Sequence, residues 1–177
     1  MGRAKGEVIR ERYDATCMGY DELYGEEQRE KYQAALDALG PPRGAVLDAG
    51  CGTALLAEFL HSRGLLGGVD LYVCLDYSGC MLSIAAGRLG RIMPGRHLIV
   101  EGNVEHLPFP DSAFDYVYSF TVLDLVDHPI RAAAELKRVA RGPVVVSLLR
   151  RLPYKSLLLA GHEPLGVTSK DVLIRLA

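Results

Sequence analysis

The segment Val46-Leu47-Asp48-Ala49-Gly50-Cys51-Gly52-Thr53 constrains the fold more than any other. A short apolar run that ends in Gly-x-Gly and leads into the helical pattern of residues 53–63 predicts a buried strand, a tight turn and a helix. The two glycines take the Cβ atoms out of the turn, so a ligand can approach the backbone closely. The same alternation recurs downstream. Residues 71–75 read as a second strand ending at Asp76, and Ser78 can cap a helix over 79–89. Residues 98–100 and 114–120 read as third and fourth strands. Pro129 fits the first turn of a helix over 129–141, and 144–149 read as a fifth strand. Strands alternating with helices predict an α/β chain, doubly wound, with a parallel sheet covered on both faces.

The chain has 177 residues, 49% hydrophobic and 24% charged, with a formal net charge of −2. That is the size of one domain with a real core, and the balance excludes disorder and general affinity for nucleic acid. No apolar run approaches the roughly 20 residues of a membrane span. The first 12 residues are charged and lack the apolar centre of a secretory signal, so the expected location is the cytoplasm. The four cysteines, Cys17, Cys51, Cys74 and Cys80, form no C-x-x-C pair. A zinc ribbon and any other metal site are therefore not expected, and reduced thiols are the default. One Asn and two Gln in the whole chain fit a heat-loving source, which keeps cysteine pairing open. We divide the chain into a helical segment over 1–40, an α/β core over 41–151 and a helical tail over 152–177. In the first segment, Tyr13, Cys17, Tyr20 and Tyr24 fall on one helical face, interrupted at Gly19.

Chemistry enters with the acids. Asp48 stands two residues before Gly50, where a carboxylate repels pyrophosphate and suits a cationic ligand. A dinucleotide fingerprint would also have a third Gly where this chain has Leu55. Asp76, ending the second strand, can accept hydrogen bonds from ribose hydroxyls. Taken singly, the glycines read as a plain turn, Asp76 as a helix cap and the tyrosines as packing. In combination they describe a ligand with a ribose and a positive charge but no phosphate, and S-adenosylmethionine has that description.

The constellation resembles class I S-adenosylmethionine-dependent methyltransferases, most closely the type 11-like methyltransferase domain, over residues 13–149. The resemblance implies a Rossmann-like sheet of order 3-2-1-4-5 and S-adenosylmethionine as cofactor. It implies that Gly50, Cys51 and Gly52 underlie the methionine part, with Asp48 placing its amino group. Ala54 stands where many relatives have Gly. Asp76 would hold the ribose, and Tyr77 and Met81 would pack on the adenine. Glu101-Gly102-Asn103-Val104 resembles the third motif, with Asn103 in place of its usual acid. Ser119 and Phe120 would line the gate to the acceptor. Tyr13-Asp14-Ala15-Thr16-Cys17-Met18-Gly19-Tyr20-Asp21 resembles a segment whose tyrosines, here Tyr13 and Tyr20, close over the cofactor.

Alignment of the acceptor with the sulfonium methyl does most of the work of such a transfer, so no catalytic residue is assigned. Asp124, Asp127 and His128 are candidates for taking a proton, against a bland reading as an acidic helix start. The absence of Asn/Asp-Pro-Pro-Tyr and of Pro-Cys argues against amide, adenine-amino and cytosine C5 chemistry. A small-molecule acceptor is favoured. The alternatives are an RNA or protein methyltransferase working with a small activator on the Leu98-Ile99-Val100 edge, a cofactor-binding protein without turnover, and a nicotinamide oxidoreductase. Only 28 residues follow Leu149, and residues 169–176 read as a helix. We therefore expect the usual terminal β-hairpin to be absent and the fifth strand to be an edge covered by the tail, a second copy or another protein. An open acceptor site and weak activity without a partner follow from that expectation.

Overall fold

The computed structural model describes residues 4–151, 162 and 164–176. Among them, seven strands form one sheet: β1 (Gly44–Ala49), β2 (Val69–Asp76), β3 (His97–Glu101), β4 (Tyr116–Phe120), β5 (Val144–Leu149), β6 (Pro164–Val167) and β7 (Asp171–Leu176). Their order is β3-β2-β1-β4-β5-β7-β6. β1 to β5 run parallel, and β7 is antiparallel to both β5 and β6. The helices are α1 (Lys5–Thr16), α2 (Tyr20–Leu39), α3 (Leu55–Ser62), α4 (Gly79–Ile92) and α5 (Pro129–Val139).

The pleat of the parallel strands builds two cores. Val46, Tyr72, Tyr118, Val145 and Leu173 point to one face, where Tyr32, Leu56, Phe59, Leu60 and Leu89 cover them. Leu47, Val73, Val117, Val146 and Ile174 point to the other, against Ala132, Leu136 and Val139 of α5. Both faces are covered, which is why β1, β2 and β5 read as continuous apolar runs. Ser78 caps α4 by accepting the Met81 N–H at 3.2 Å, and Pro129 opens α5, both as expected. At the lid, α1 and α2 are separated by a short 3-10 turn, Cys17–Gly19.

The end of the chain corrects the expectation of a sheet without its hairpin. Residues 171–176 are a strand, not a helix, and the fifth strand is not an edge: β7 pairs with it along Val144–Leu149. The hairpin fits because it is short. Strands of four and six residues are joined by a turn in which Thr168 N–H donates to Asp171 O at 2.9 Å and Asp171 N–H to Thr168 Oγ1 at 3.0 Å. Val172-Leu173-Ile174 then sits fully within the sheet, where tertiary burial overrides a cap-like Ser169. The outer edge falls to β6, whose Pro164 and Gly166 blunt it and which lies against Ala34 of α2. The expected helix over 152–160 lies outside the described residues.

The thiols also differ from expectation. Cys17 pairs with Cys80 and Cys51 with Cys74. Gly50 and Cys51 both donate their N–H groups to Leu75 O, so the glycine turn folds back over the end of β2. That brings Cys51 to a Cα–Cα distance of 5.3 Å from Cys74, inside the bridging range.

Candidate functional site

The C-terminal ends of β1, β2 and β4 form the floor of a cavity of about 340 Å³. The glycine turn shapes its centre. Gly50 has φ 82° and Gly52 φ 53°, and a Cβ on Gly50 would lie 2.1 Å from Val122 Cγ2. Gly52 is therefore bare toward the cavity, with Tyr20 Cε1 3.8 Å from where its Cβ would be. Ala54 has φ 62° at the start of α3, a left-handed conformation that explains why glycine suits this position.

Asp76 anchors the same corner. Its Oδ2 accepts Gly52 N–H at 2.8 Å and its Oδ1 accepts Ser78 N–H at 2.9 Å. Burial pushes its carboxyl pKa up, while the backbone donors from Ser78, Gly52 and Tyr77 oppose the shift. Tyr77, Met81, Gly102, Asn103 and Val104 continue the wall. Asn103 Oδ1 accepts Glu105 N–H at 2.9 Å, so its amide is oriented by the turn that follows it.

The roof comes from α1 and α2 through Ile9, Arg10, Tyr13, Tyr20, Tyr24 and Glu27. Tyr13 and Tyr20 meet edge to face at 6.0 Å, and Tyr20 and Tyr24 lie 5.0 Å apart. Burial raises the phenol pKa values of Tyr13 and Tyr20 above the usual tyrosine range, so both are neutral rings. Of the residues singled out from sequence, Tyr13, Tyr20, Gly50, Gly52, Asp76, Tyr77, Met81, Asn103 and Val104 line this one cavity. Three do not. Asp48 and Cys51 line a small recess behind Gly50, beside Gln28 and Tyr32. There Tyr72 Oη donates to Asp48 Oδ2 at 2.7 Å. Burial pushes Asp48 up to about 7; Tyr72 opposes the rise and Asp76 adds to it. Ser119 is fully buried, its hydroxyl donating to Ala49 O at 2.9 Å, because the pleat turns it into the sheet and away from the cavity.

The far end of the cavity was less legible. Glu27, Thr121, Leu125, Leu149 and Lys170 line it. Glu27 accepts from Lys31 Nζ at 3.0 Å and Lys170 Nζ at 2.6 Å. Against the effect of its burial, these two ammonium groups hold its pKa below the usual carboxylate range. Lys31, fully buried, also donates to Thr121 Oγ1 at 2.6 Å and pairs with Asp171 Oδ2 at 3.0 Å. Tyr20, Tyr24, Glu27 and Lys31 follow one helical face, a signal present in the sequence. Lys170 arrives on the hairpin and had no such signal. Asp127, which lines the cavity, takes the Lys5 and Gly6 N–H groups at the start of α1, and the backbone N–H of His128 donates to Glu105 at 3.1 Å. Asp124 accepts Leu149 N–H at 2.9 Å, and burial, with Asp171 nearby, pushes it up to about 6.

A cation with a ribose fits this chemistry. The residues around Gly50, Gly52 and Asp76 offer carboxylates and aromatic rings, and Arg10 is spent on Glu101 at 2.8 Å and on the Tyr77 ring at 5.0 Å. Among the described residues, no group of acids, histidines and cysteines could hold a metal ion, and no helix is long and apolar enough to cross a membrane.

Comparison with known proteins agrees with the geometry. Residues 47–145, more than half of the chain, match a family described as "Methyltransferase domain". The demethylmenaquinone methyltransferase of Thermobifida fusca (strain YX) is 34% identical over 134 residues, covering 73% of this chain and 55% of that protein. The chain spans about half the length of the curated relatives it matches. Among solved structures, magnesium protoporphyrin IX methyltransferase from Synechocystis PCC 6803 with bound SAM has a TM-score of 0.75 at 14% identity, covering 98% of this chain and 97% of the other. A methyltransferase in complex with the Haloferax volcanii Trm112 activator has a TM-score of 0.66 at 20% identity, covering 84% and 62%. With its sheet order, its glycine turn and this match in hand, the chain belongs to the S-adenosylmethionine-dependent methyltransferases of the methyltransferase-domain family.

Proposed function

We propose that the chain transfers the methyl group of S-adenosylmethionine to a small, largely apolar acceptor carrying a few polar groups. The observation that carries this reading is the far end of the cavity. It is walled by Tyr24, Phe120, Leu125 and Leu149, with Thr121, Glu27 and Lys170 as its polar points. A few polar groups in an apolar, roofed end of a cavity suit a small molecule. The name of the Thermobifida fusca relative supports the same class.

When bound, S-adenosylmethionine supplies an electrophilic methyl on its sulfonium. The residues of the chain bind and align. Asp76 holds the ribose hydroxyls, Tyr77, Met81 and Asn103 flank the adenine, and Gly50 and Gly52 let the methionine part lie on the backbone. Tyr13 and Tyr20, on residues 1–40 acting as a lid, exclude water while the acceptor is held in line. Asp76→Ala should weaken binding of S-adenosylhomocysteine by calorimetry at least about tenfold, since a hydrogen bond to a charged group contributes roughly 1.5–3 kcal/mol. Unchanged affinity would remove Asp76 from the site. Methyl-labelled S-adenosylmethionine incubated with the protein and a cell extract should leave label in a low-molecular-weight product that chromatography separates from the unreacted donor, and should not when the protein is omitted. Label confined to RNA or protein would overturn the acceptor class.

A second reading has one observation in its favour. β3 is a free edge with Leu98 52% exposed, the kind of surface to which a small activator adds a strand. The Trm112 complex of a neighbouring fold supports it.

A further inference from the structure

The roof is fastened unevenly. α2 is rooted in the core through Tyr32 and Ala35, and its first turn is tied to the body by Thr53 Oγ1 donating to Asp21 at 2.5 Å and by Arg88 pairing with Asp21. α1 has no buried residue at all, although Gly6, Ile9, Arg10 and Tyr13 lie over the cavity. Its non-covalent ties are polar and aromatic contacts, exposed or half-buried. Asp127 accepts its first N–H groups, Lys5 Nζ donates to Asp124 O at 2.7 Å, Arg10 pairs with Glu101, Tyr13 meets Tyr20 edge to face, and Asp14 Oδ1 accepts from Ser78 Oγ at 2.5 Å and Cys80 N–H at 3.3 Å. The exposed pairs among them hold a helix weakly. A covalent tie sits at its other end, where Cys17 is bonded to Cys80.

The position of that bond matters. Cys80 lies in the first turn of α4, directly after the Asp76-Tyr77-Ser78 corner of the cavity. Cys80 is partly exposed and Cys17 is buried, so this bond is reached from the Cys80 side, whereas both halves of Cys51–Cys74 are buried in the core. One bond braces the glycine turn from inside, while the other crosses from the roof to the floor at the edge of the site.

We propose that Cys17–Cys80 is a reversible thiol–disulfide modification site that latches α1 over the cofactor cavity, and that its partner is a dithiol reductant. A thiolate of the dithiol attacks the S–S bond and forms a mixed disulfide with one cysteine. The other leaves as a thiolate and takes up a proton. The second thiol of the reagent then displaces the first cysteine, which is protonated in turn. The dithiol ends as its own disulfide, and two electrons and two protons reside on Cys17 and Cys80. Oxidised, the roof stays down and ligand exchange is slow; reduced, α1 lifts on its weak polar ties and exchange is fast. The ligand-exchange part rests on the cofactor reading of the cavity, whereas the latch itself does not.

The test compares the oxidised protein with protein treated with dithiothreitol, without ligand and with S-adenosylhomocysteine. Alkylation and mass mapping should find Cys17 and Cys80 labelled while Cys51 and Cys74 stay paired. Amide exchange over residues 5–20 should quicken roughly tenfold on reduction with β1 and α3 unchanged, and S-adenosylhomocysteine should dissociate faster by a similar factor. Cys80→Ser, and independently Cys17→Ser, should behave as the reduced protein and ignore dithiothreitol. Equal amide exchange in both redox states, or simultaneous opening of both disulfides, overturns the latch. If S-adenosylhomocysteine binds neither form while exchange in α1 still responds, the cofactor reading fails and the latch is supported.

Discussion

At the scale of single residues, Asp48 shows how position alters a side chain's chemistry. Its carboxyl is enclosed in the recess behind the glycine turn with the Tyr72 hydroxyl at 2.7 Å, and burial raises its pKa to about 7. In the unfolded chain it titrates near about 4. Between those values the folded protein binds more protons, so this residue's contribution is fully present below about pH 4 and is lost as pH rises through about 7. The slope is up to ~1.4 kcal/mol per pH unit. Asp48→Asn lacks the titration, so without ligand the melting temperature of the variant should gain on the wild type by several degrees between about pH 5 and about pH 8. Parallel melting curves across that range would contradict the raised pKa. Asp48 and the two glycines were legible because their spacing from the strand end carries the chemistry. The partner Tyr72 was not, since it is one residue among many in an apolar strand until β1 and β2 pair in register, Val46 beside Tyr72.

At the scale of elements, the turn from β1 to α3 illustrates why local signals succeed. Its geometry depends on residues adjacent in sequence. Gly50 combines φ 82° with Val122 packed where a Cβ would stand, so Gly50→Ala meets a backbone cost of about 1–2 kcal/mol and an overpacking cost of roughly 1–3 kcal/mol. Urea unfolding should show a loss of at least ~2 kcal/mol, and Gly50→Ala with Val122→Ala should recover only the overpacking part. Full recovery would mean that the left-handed conformation costs nothing there. Thr121, a β-branched residue at φ 59°, stores similar strain beside the cavity, held by Lys31 Nζ and by its own N–H donating to Ser147 Oγ at 2.8 Å. The helical reading of residues 169–176 failed for the opposite reason. The six residues of β7 have no strong period of their own, and pairing with β5 decides their state.

For the whole molecule, the buried Lys31 joins parts far apart in sequence. It sits on α2, touches Thr121 beyond β4 and pairs with Asp171 at the start of β7, with both side chains of the ion pair fully buried. Helix α2, sheet and hairpin thus meet beside the far end of the cavity. Asp171→Ala leaves the ammonium with Glu27 as its remaining carboxylate and should cost about 3 kcal/mol in urea unfolding. Replacing both partners, Lys31→Met with Asp171→Leu, should cost less than Asp171→Ala alone, because no uncompensated charge remains. A double variant as unstable as the single one would show that the pair is not coupled.

The strand and helix alternation, the glycine turn with its two acids, and the tyrosine face of α1 and α2 are set by neighbours within a few turns or by strict periodicity, so the sequence by itself determined them. The terminal hairpin, the two disulfides, the Lys31 junction and the exclusion of Ser119 from the cavity depend on contacts between distant segments. β7 becomes a strand because β5 offers it an unpaired row of backbone groups and an apolar face. Cys17 meets Cys80 only because α1 folds back over the end of β2, across 63 residues of chain. Burial and pairing of that kind are properties of the assembled sheet, and the tertiary structure alone decided them.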